Sequence, residues 1–145
     1  MPIKVFLVED SPGDVRLMQE VFHEVNNSIQ LIVASDGVQA LTFLRQEGAY
    51  IHAPRPDIIL LDLNLPKMDG REVLANIKED DNLKTIPIII LSSSDAEEDI
   101  AMGYQLKANC YLTKPVQLRA FESLVESIND FWLTKIKLLQ QSRVA

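Results

Sequence analysis

The chain has 145 residues, 47% of them hydrophobic, which is material for one domain and too little for a second. Its formal net charge of −7 opposes attraction to phosphate backbones, so we expect no direct binding to nucleic acid. With no signal-type segment and no apolar run near the roughly 20 residues that span a bilayer, we expect a cytoplasmic protein without membrane contact. The single cysteine, Cys110, cannot form an internal disulfide.

The first part of the chain predicts two strands that alternate with two helices. An apolar strand spans Ile3 to Val8, and Ser11-Pro12 then supplies the N-cap and first-turn proline of a helix that runs to about Val25. A second strand, Ile29 to Ala34, is followed by Ser35-Asp36-Gly37 and a second helix with apolar residues at helical spacing.

The rest of the chain continues this alternation. In order, the predicted elements are a strand over Ile58 to Leu61, a helix from about Gly70 to Glu79, a strand over Ile86 to Leu91, a helix from about Ala96 to Leu106, a strand over Asn109 to Leu112 and a helix from about Gln117. Parallel strands require crossover connections of one hand. The pattern therefore predicts an α/β, doubly wound, flavodoxin-like fold with strand order 2-1-3-4-5 and helices on both faces.

Two segments are longer than this fold requires. The loop from Gln46 to Pro56 exceeds the usual two to six or so residues of a helix-to-strand connection, which makes it a candidate docking loop. A last helix over about 117–140 would reach roughly 36 Å, beyond the strands that it covers. Its late apolar residues either fold back, lie in a disordered tail, or form the dimer or partner surface that we favour: Phe131, Trp132, Ile136 and Leu139.

Acidic residues follow the first and third predicted strands. Glu9 and Asp10 come directly after the first strand, and Asp62 comes directly after the third. In the predicted strand order these two strands flank the crevice at the switch point of the sheet. Carboxylates a few ångströms apart repel one another by roughly 4 kcal/mol per pair at an effective dielectric of about 20, which a divalent cation would relieve. Oxygen ligands favour Mg²⁺, and zinc is disfavoured because no Cys or His is near in sequence.

With such a cation, Asp62 can attack a phosphorus atom and form an aspartyl phosphate. Lys114, after the fifth strand, offers a positive charge to the phosphoryl oxygens, and Ser92, after the fourth, offers a hydroxyl group. Phosphoryl transfer depends mainly on positioning and charge neutralisation, so few other groups are needed. His23 and His52 are far from the carboxylates in sequence, and we expect both at the surface without a part in phosphotransfer.

Five motifs in this order resemble the receiver domain of two-component response regulators. They are Glu9-Asp10, Asp62 with Leu65-Pro66, Asp69-Gly70, Ser92 and Lys114-Pro115. The resemblance extends from Ile3 to about Asn129 and implies that residues 1–145 form one receiver domain with an extended C-terminal helix. It also implies a stoichiometric phosphoacceptor, not an enzyme, that a histidine kinase phosphorylates on Asp62.

The resemblance assigns roles to further residues. It implies that Mg²⁺ binds Glu9, Asp10, Asp62 and the backbone carbonyl of Asn64. It implies that Ser92 and Lys114 bind the phosphoryl group, that Tyr111 is an aromatic switch residue, and that the Lys114-Pro115 peptide bond is cis. Two residues depart from the commoner pattern of the family: Glu9 replaces Asp, and Ser92 replaces Thr.

A narrower resemblance is to the stand-alone response regulators that are paired with cyanobacterial phytochromes. It rests on Pro54-Arg55-Pro56, Leu61 to Lys67, Gly70 to Leu74, Asn109 to Lys114 and Phe131-Trp132-Leu133. It implies a kinase of the phytochrome type and a homodimer formed through the final helix region. Phosphorylation would then shift a conformational equilibrium and change protein contacts, because the modification adds roughly −1.5 to −2 charge units.

Three other functions compete with this one. A Mg²⁺-dependent phosphatase of Rossmann-like fold also forms an aspartyl phosphate, but those enzymes resemble one another in an Asp-x-Asp motif where this chain has Glu9-Asp10-Ser11. A nucleotide-binding module would need a glycine-rich phosphate loop, which is missing among the five glycines. The intact acidic trio argues against an unreactive dimerisation module.

Overall fold

The computed structural model describes residues 3–92, 101, 108, 110–114, 118–133 and 135, with the backbone alone at 118, 132 and 133. The predicted helix over about 96–106 lies outside these residues except for Ala101, which is helical. The predicted surface residues Ile136 and Leu139 and the side chain of Trp132 also lie outside them. In the part of the chain that the structure describes, no helix combines the length and apolar character needed to cross a membrane.

Five parallel strands form one sheet in the order β2-β1-β3-β4-β5, so the predicted topology is confirmed. The central strands β1, β3 and β4 are buried on both faces, which explains their nearly unbroken apolar sequences. The strands are β1 (Ile3–Val8), β2 (Ile29–Ala34), β3 (Ile58–Leu61), β4 (Ile88–Ser92) and β5 (Cys110–Thr113).

Helices cover both faces of this sheet, as predicted. Helix α1 (Pro12–Val25) and the C-terminal helix (Leu118–Ser127) pack on one face, against the alternate side chains that include Val5, Leu7 and Leu60. Helices α2 (Gly37–Leu44) and α3 (Gly70–Glu79) pack on the other face, against Phe6, Val8 and Leu61. The C-terminal helix continues as a π-helical segment, Ile128–Leu133.

Side chains at the start of α1, α2 and α3 satisfy free backbone amides. Ser11 Oγ accepts a hydrogen bond from the Asp14 amide at 3.3 Å, so the predicted N-cap of α1 is confirmed. Asp36 and Asp69 cap α2 and α3 in the same way. Each of these helices follows a strand along the chain, so all three begin at the edge of the sheet where the strands end.

The boundaries of two strands differ from the prediction: β5 ends at Thr113 rather than at Leu112, and β4 differs at both ends. Strand β4 begins at Ile88 because Pro87 has no amide hydrogen and the Ile86 amide bonds to the Leu83 carbonyl in a turn. It extends to Ser92, which pairs with Thr113 of β5.

The long loop from Gln46 to Pro56 contains a short 3-10 turn, Gly48–Tyr50, that is tied to α2. The Tyr50 hydroxyl accepts a hydrogen bond from Gln39 Nε2 at 3.0 Å, and its ring lies edge-on to Phe43 with centroids 5.4 Å apart. These contacts order the loop, and its docking role stays a prediction.

Candidate functional site

The register of the sheet brings the first and third strand ends together. Val8 pairs with Leu61, so the next residues, Glu9 and Asp62, are neighbours across β1 and β3. Because side chains alternate along a strand, both point towards the face that α1 covers. Both residues are buried, with 2% and 7% exposure.

Three carboxylates meet at this edge of the sheet. One oxygen atom from each of Glu9, Asp10 and Asp62 lies within 4.8 Å of the others, with Asp10 exposed to solvent. No Cys or His belongs to this group. A set of carboxylate oxygens, open to solvent on one side, fits a hard divalent cation that keeps part of its water shell. The predicted convergence of these three residues is confirmed.

Lys114 lies against the same carboxylates. Its Nζ donates hydrogen bonds to Glu9 Oε2 at 2.5 Å, to Asp62 Oδ2 at 3.2 Å and to Asp14 Oδ2 at 3.1 Å. The side chain is only 9% exposed. Its backbone amide donates to the Ser92 carbonyl at 2.7 Å, which fixes the position of the lysine relative to β4.

Burial and neighbouring charges alter the pKa values of Glu9 and Lys114. Burial, with the neighbouring Asp62 carboxylate, raises the pKa of Glu9 to about 7, although the Lys114 ammonium acts in the opposite direction. Burial alone would lower the pKa of Lys114, but the bond to Glu9 and the charges of Asp62 and Glu9 outweigh it and raise that pKa. Lys114 is therefore a firmly held cation at neutral pH and the internal counter-charge of the site.

The turn after Asp62 orients that carboxylate. Asp62 Oδ1 accepts a hydrogen bond from the Asn64 amide at 3.1 Å, while Oδ2 contacts Lys114, so both oxygens are held. The turn closes through the Gly70 amide, which donates to the Leu63 carbonyl at 2.8 Å. A Cβ atom at Gly70 would lie 2.2 Å from the Asp62 carbonyl oxygen, so the close approach requires glycine.

The remaining predicted residues lie around this centre. Ser92 is fully buried at the end of β4, and Tyr111 in β5 is buried in the core on the α2 and α3 side. Asn64 is exposed directly after the acidic strand end. Their roles as phosphoryl ligand, switch residue and metal ligand stay predictions, and the Lys114-Pro115 peptide bond lies outside the described residues.

Sequence reasoning missed two residues of the site. Asp14 contacts Lys114 from the first turn of α1, and Gly37 packs so closely on the loop after β3 that a Cβ would lie 2.2 Å from the Met68 carbonyl oxygen. The sequence feature that pointed to Asp14 was its position in the first turn of a helix that begins at the same edge of the sheet. His23 and His52 are exposed, as expected.

Comparisons with known proteins agree with this geometry. A profile of the family "Response regulator receiver domain" matches residues 5–126. Response regulator Rcp1 of Synechocystis sp. (strain PCC 6803) is 48% identical over 137 residues, which cover 94% of this chain and 93% of that protein.

Two solved structures are similar in fold and sequence. The phosphorylated cyanobacterial phytochrome response regulator RcpA has a TM-score of 0.89 and 49% identity, covering 93% of this chain and 96% of the other. The Mn²⁺-bound form of Rcp1 has a TM-score of 0.86 and 49% identity, covering 91% and 95%. These matches give no support to the rival prediction of a Mg²⁺-dependent phosphatase.

Proposed function

The chain belongs to the family of response regulator receiver domains and is a phosphorylation-activated signalling switch, and on this premise we propose that Asp62 accepts the phosphoryl group. One observation carries the proposal: Asp62 is the buried carboxylate that shares the Lys114 ammonium with Glu9 and lies beside Asp10. Residues 1–145 would form a single receiver domain with an extended C-terminal helix.

The chemistry follows from the atoms that meet at Asp62. A carboxylate oxygen of Asp62 forms a bond to the phosphorus atom of the donor as the bond to the leaving group breaks, and the leaving group keeps the electron pair. Lys114 compensates the charge on the transferred oxygens, and Ser92 donates a hydrogen bond from its hydroxyl group. The modification then favours a conformation in which Ser92 and Tyr111 have moved, which changes the protein contacts of the chain.

Glu9, Asp10, Asp62 and the backbone carbonyl of Asn64 would hold the divalent cation that this chemistry needs. When bound, the cation neutralises charge on the phosphoryl oxygens. The relative Rcp1 has a Mn²⁺-bound form. For this chain Mg²⁺ is the proposed ion, because it accepts a few carboxylate oxygens and keeps several waters.

The proposed phosphoryl donor is a histidine kinase of the phytochrome type, which acts on this chain in the cytoplasm. Support comes from RcpA, a cyanobacterial phytochrome response regulator at 49% identity, and from the 48% identity to Rcp1. In this proposal each chain carries one phosphoryl group and turns over no substrate pool.

The direct test is to locate the phosphoryl group. Incubation with phosphoramidate and Mg²⁺ should add the mass of one phosphoryl group, and chelation of the metal should prevent the gain. Sodium borohydride reduces an acyl phosphate to an alcohol, so peptide mapping should find the reduced side chain at position 62. Reduction at another acidic residue, or a gain that is stable to hydroxylamine, would refute the assignment.

An exposed aromatic side chain supports a second part of the proposal, a homodimer formed through the C-terminal helix region. Phe131 is 61% exposed on the π-helical segment that extends this helix. Phe131→Glu should shift the sedimentation of the phosphorylated protein from dimer towards monomer, because a charge would enter the apolar contact. Val38→Glu is the matched control, since Val38 is 46% exposed on α2, outside the C-terminal helix and the long loop. Equal sedimentation of the parent and Phe131→Glu would reject this surface.

A further inference from the structure

The ammonium group of Lys114 has three hydrogens, and three carboxylates accept them. Two of these acceptors, Glu9 and Asp62, are needed for the cation and the phosphoryl group in the function proposed above. The third, Asp14, belongs to neither set. We infer that Asp14 is a positioning residue that keeps Lys114 at the site when the oxygens of Glu9 and Asp62 bind a divalent cation. This inference rests on the proposed function.

The backbone places Asp14 where this role requires it. Glu9, Asp62 and Lys114 each lie two residues after a side chain of the core on the α1 face, namely Leu7, Leu60 and Leu112. Asp14 is in the first turn of α1, and its amide is held by the Ser11 cap at 3.3 Å. Asp14 therefore approaches Lys114 from the helix that covers this face.

Differences in burial indicate the direction in which Lys114 can move. The side chains of Glu9 and Asp62 are 2% and 8% exposed, whereas that of Asp14 is 41% exposed. Asp14 thus lies at the solvent side of the cluster. An ammonium group that remains bonded to Asp14 can leave the buried oxygens without leaving the site.

This movement matters because Lys114 occupies one oxygen of Glu9 and one of Asp62, while the other oxygen of each already accepts a backbone amide, from Ser11 at 3.2 Å and from Asn64 at 3.1 Å. Lys114 must release its bonds to Glu9 and Asp62 before those oxygens can serve a cation. The Asp14 carboxylate, 3.1 Å from Nζ, binds neither the cation nor the phosphoryl group, so it can keep its bond to Lys114 and reduce the energetic cost of that release. Lys114 also stays within reach of a phosphoryl group on Asp62.

An acid in the first turn of a helix also has a simpler role, which is to interact with the helix dipole. That interaction does not involve Lys114. The two roles therefore differ in one respect that can be measured: only the positioning role disappears when Lys114 is replaced.

The test is the affinity for Mg²⁺, measured by isothermal titration calorimetry on the unphosphorylated full chain. Asp14→Asn should weaken binding about fivefold, a coupling of the size found between residues in contact. In a Lys114→Met background the same substitution should weaken binding by about twofold or less, since only the through-space charge is lost. Asp81→Asn is the control, because Asp81 is 94% exposed and paired with Lys84 at the surface.

Equal losses in the two backgrounds, or no loss in the parent background, would overturn the inference. A parent protein that binds no Mg²⁺ would overturn the proposed function as well. Parent binding with unaltered Asp14→Asn binding would overturn this inference alone.

Lys114→Met removes the counter-charge of buried carboxylates and can fail to fold. A second measurement on the folded single variant avoids this problem. In the Mg²⁺-bound parent, the ¹⁵N signal of the Lys114 ammonium group should persist, because a bonded ammonium exchanges its protons slowly. In Asp14→Asn the signal should broaden or vanish, and an identical signal in both proteins would refute the role of Asp14.

Discussion

Asp62→Asn should abolish phosphorylation of the folded protein. The amide that replaces the carboxylate keeps nearly the same shape and an oxygen that can accept the Asn64 hydrogen bond. It carries no negative charge and is a poor nucleophile, so no bond to phosphorus forms. After incubation with phosphoramidate and Mg²⁺, intact mass spectrometry should show one added phosphoryl group in the parent and none in the variant.

Asp81→Asn is the matched control for Asp62→Asn, because it removes an exposed carboxylate with the same change of atoms. We expect it to be phosphorylated like the parent. Cooperative thermal unfolding of both variants, followed by circular dichroism, would show that each is folded. Phosphorylation of Asp62→Asn at the parental rate would mean that another side chain is the acceptor.

The central part of the site could be predicted because parallel pairing converts sequence position into spatial position. The apolar runs of β1 and β3 end in polar residues, and the pairing of Val8 with Leu61 makes Glu9 and Asp62 neighbours. The position of Lys114 could be predicted in the same way, because it follows β5, which lies two strands from β3 in the sheet. In a parallel sheet, the residues that follow the strands in the sequence therefore line the same crevice.

Asp14 could not be identified in this way because its contact depends on how α1 is rotated against the sheet. An acid in a first helical turn is common for reasons of capping and helix dipole, so its residue type alone does not indicate a contact with Lys114. The start of β4 was also predicted wrongly, because a strand boundary depends on backbone hydrogen bonding as well as on the apolar pattern. The apolar pattern continues through Ile86, while the hydrogen bonding of the strand begins only after Pro87.

Gly70→Ala should lower the free energy of unfolding by about 3 kcal/mol, at the upper end of the usual cost of overpacking. The added Cβ would lie 2.2 Å from the Asp62 carbonyl oxygen and 2.5 Å from Leu63 Cα. Both atoms belong to the backbone, so neither can rotate away as the end of a side chain would. For a chain of this size the midpoint of thermal unfolding should fall by about 10 °C.

The same substitution should slow phosphorylation, because opening the turn displaces Asp62 from Lys114. A misplacement of about 1 Å can cost a factor of about 100 in rate, so the variant should gain the phosphoryl group far more slowly than the parent.

Gly13→Ala is the matched control for Gly70→Ala, because Gly13 is also in the first turn of a helix, while nothing lies within 4 Å of its added Cβ. Alanine is the better helix former, so this control should leave the free energy of unfolding unchanged or raise it by up to about 1 kcal/mol. If Gly70→Ala unfolds at the same temperature as Gly13→Ala, the turn can open without cost. Close backbone packing would then not be what orients Asp62. If instead only Gly70→Ala loses both stability and phosphorylation rate, the glycine is required by the approach of α3 to the backbone of the phosphorylation site.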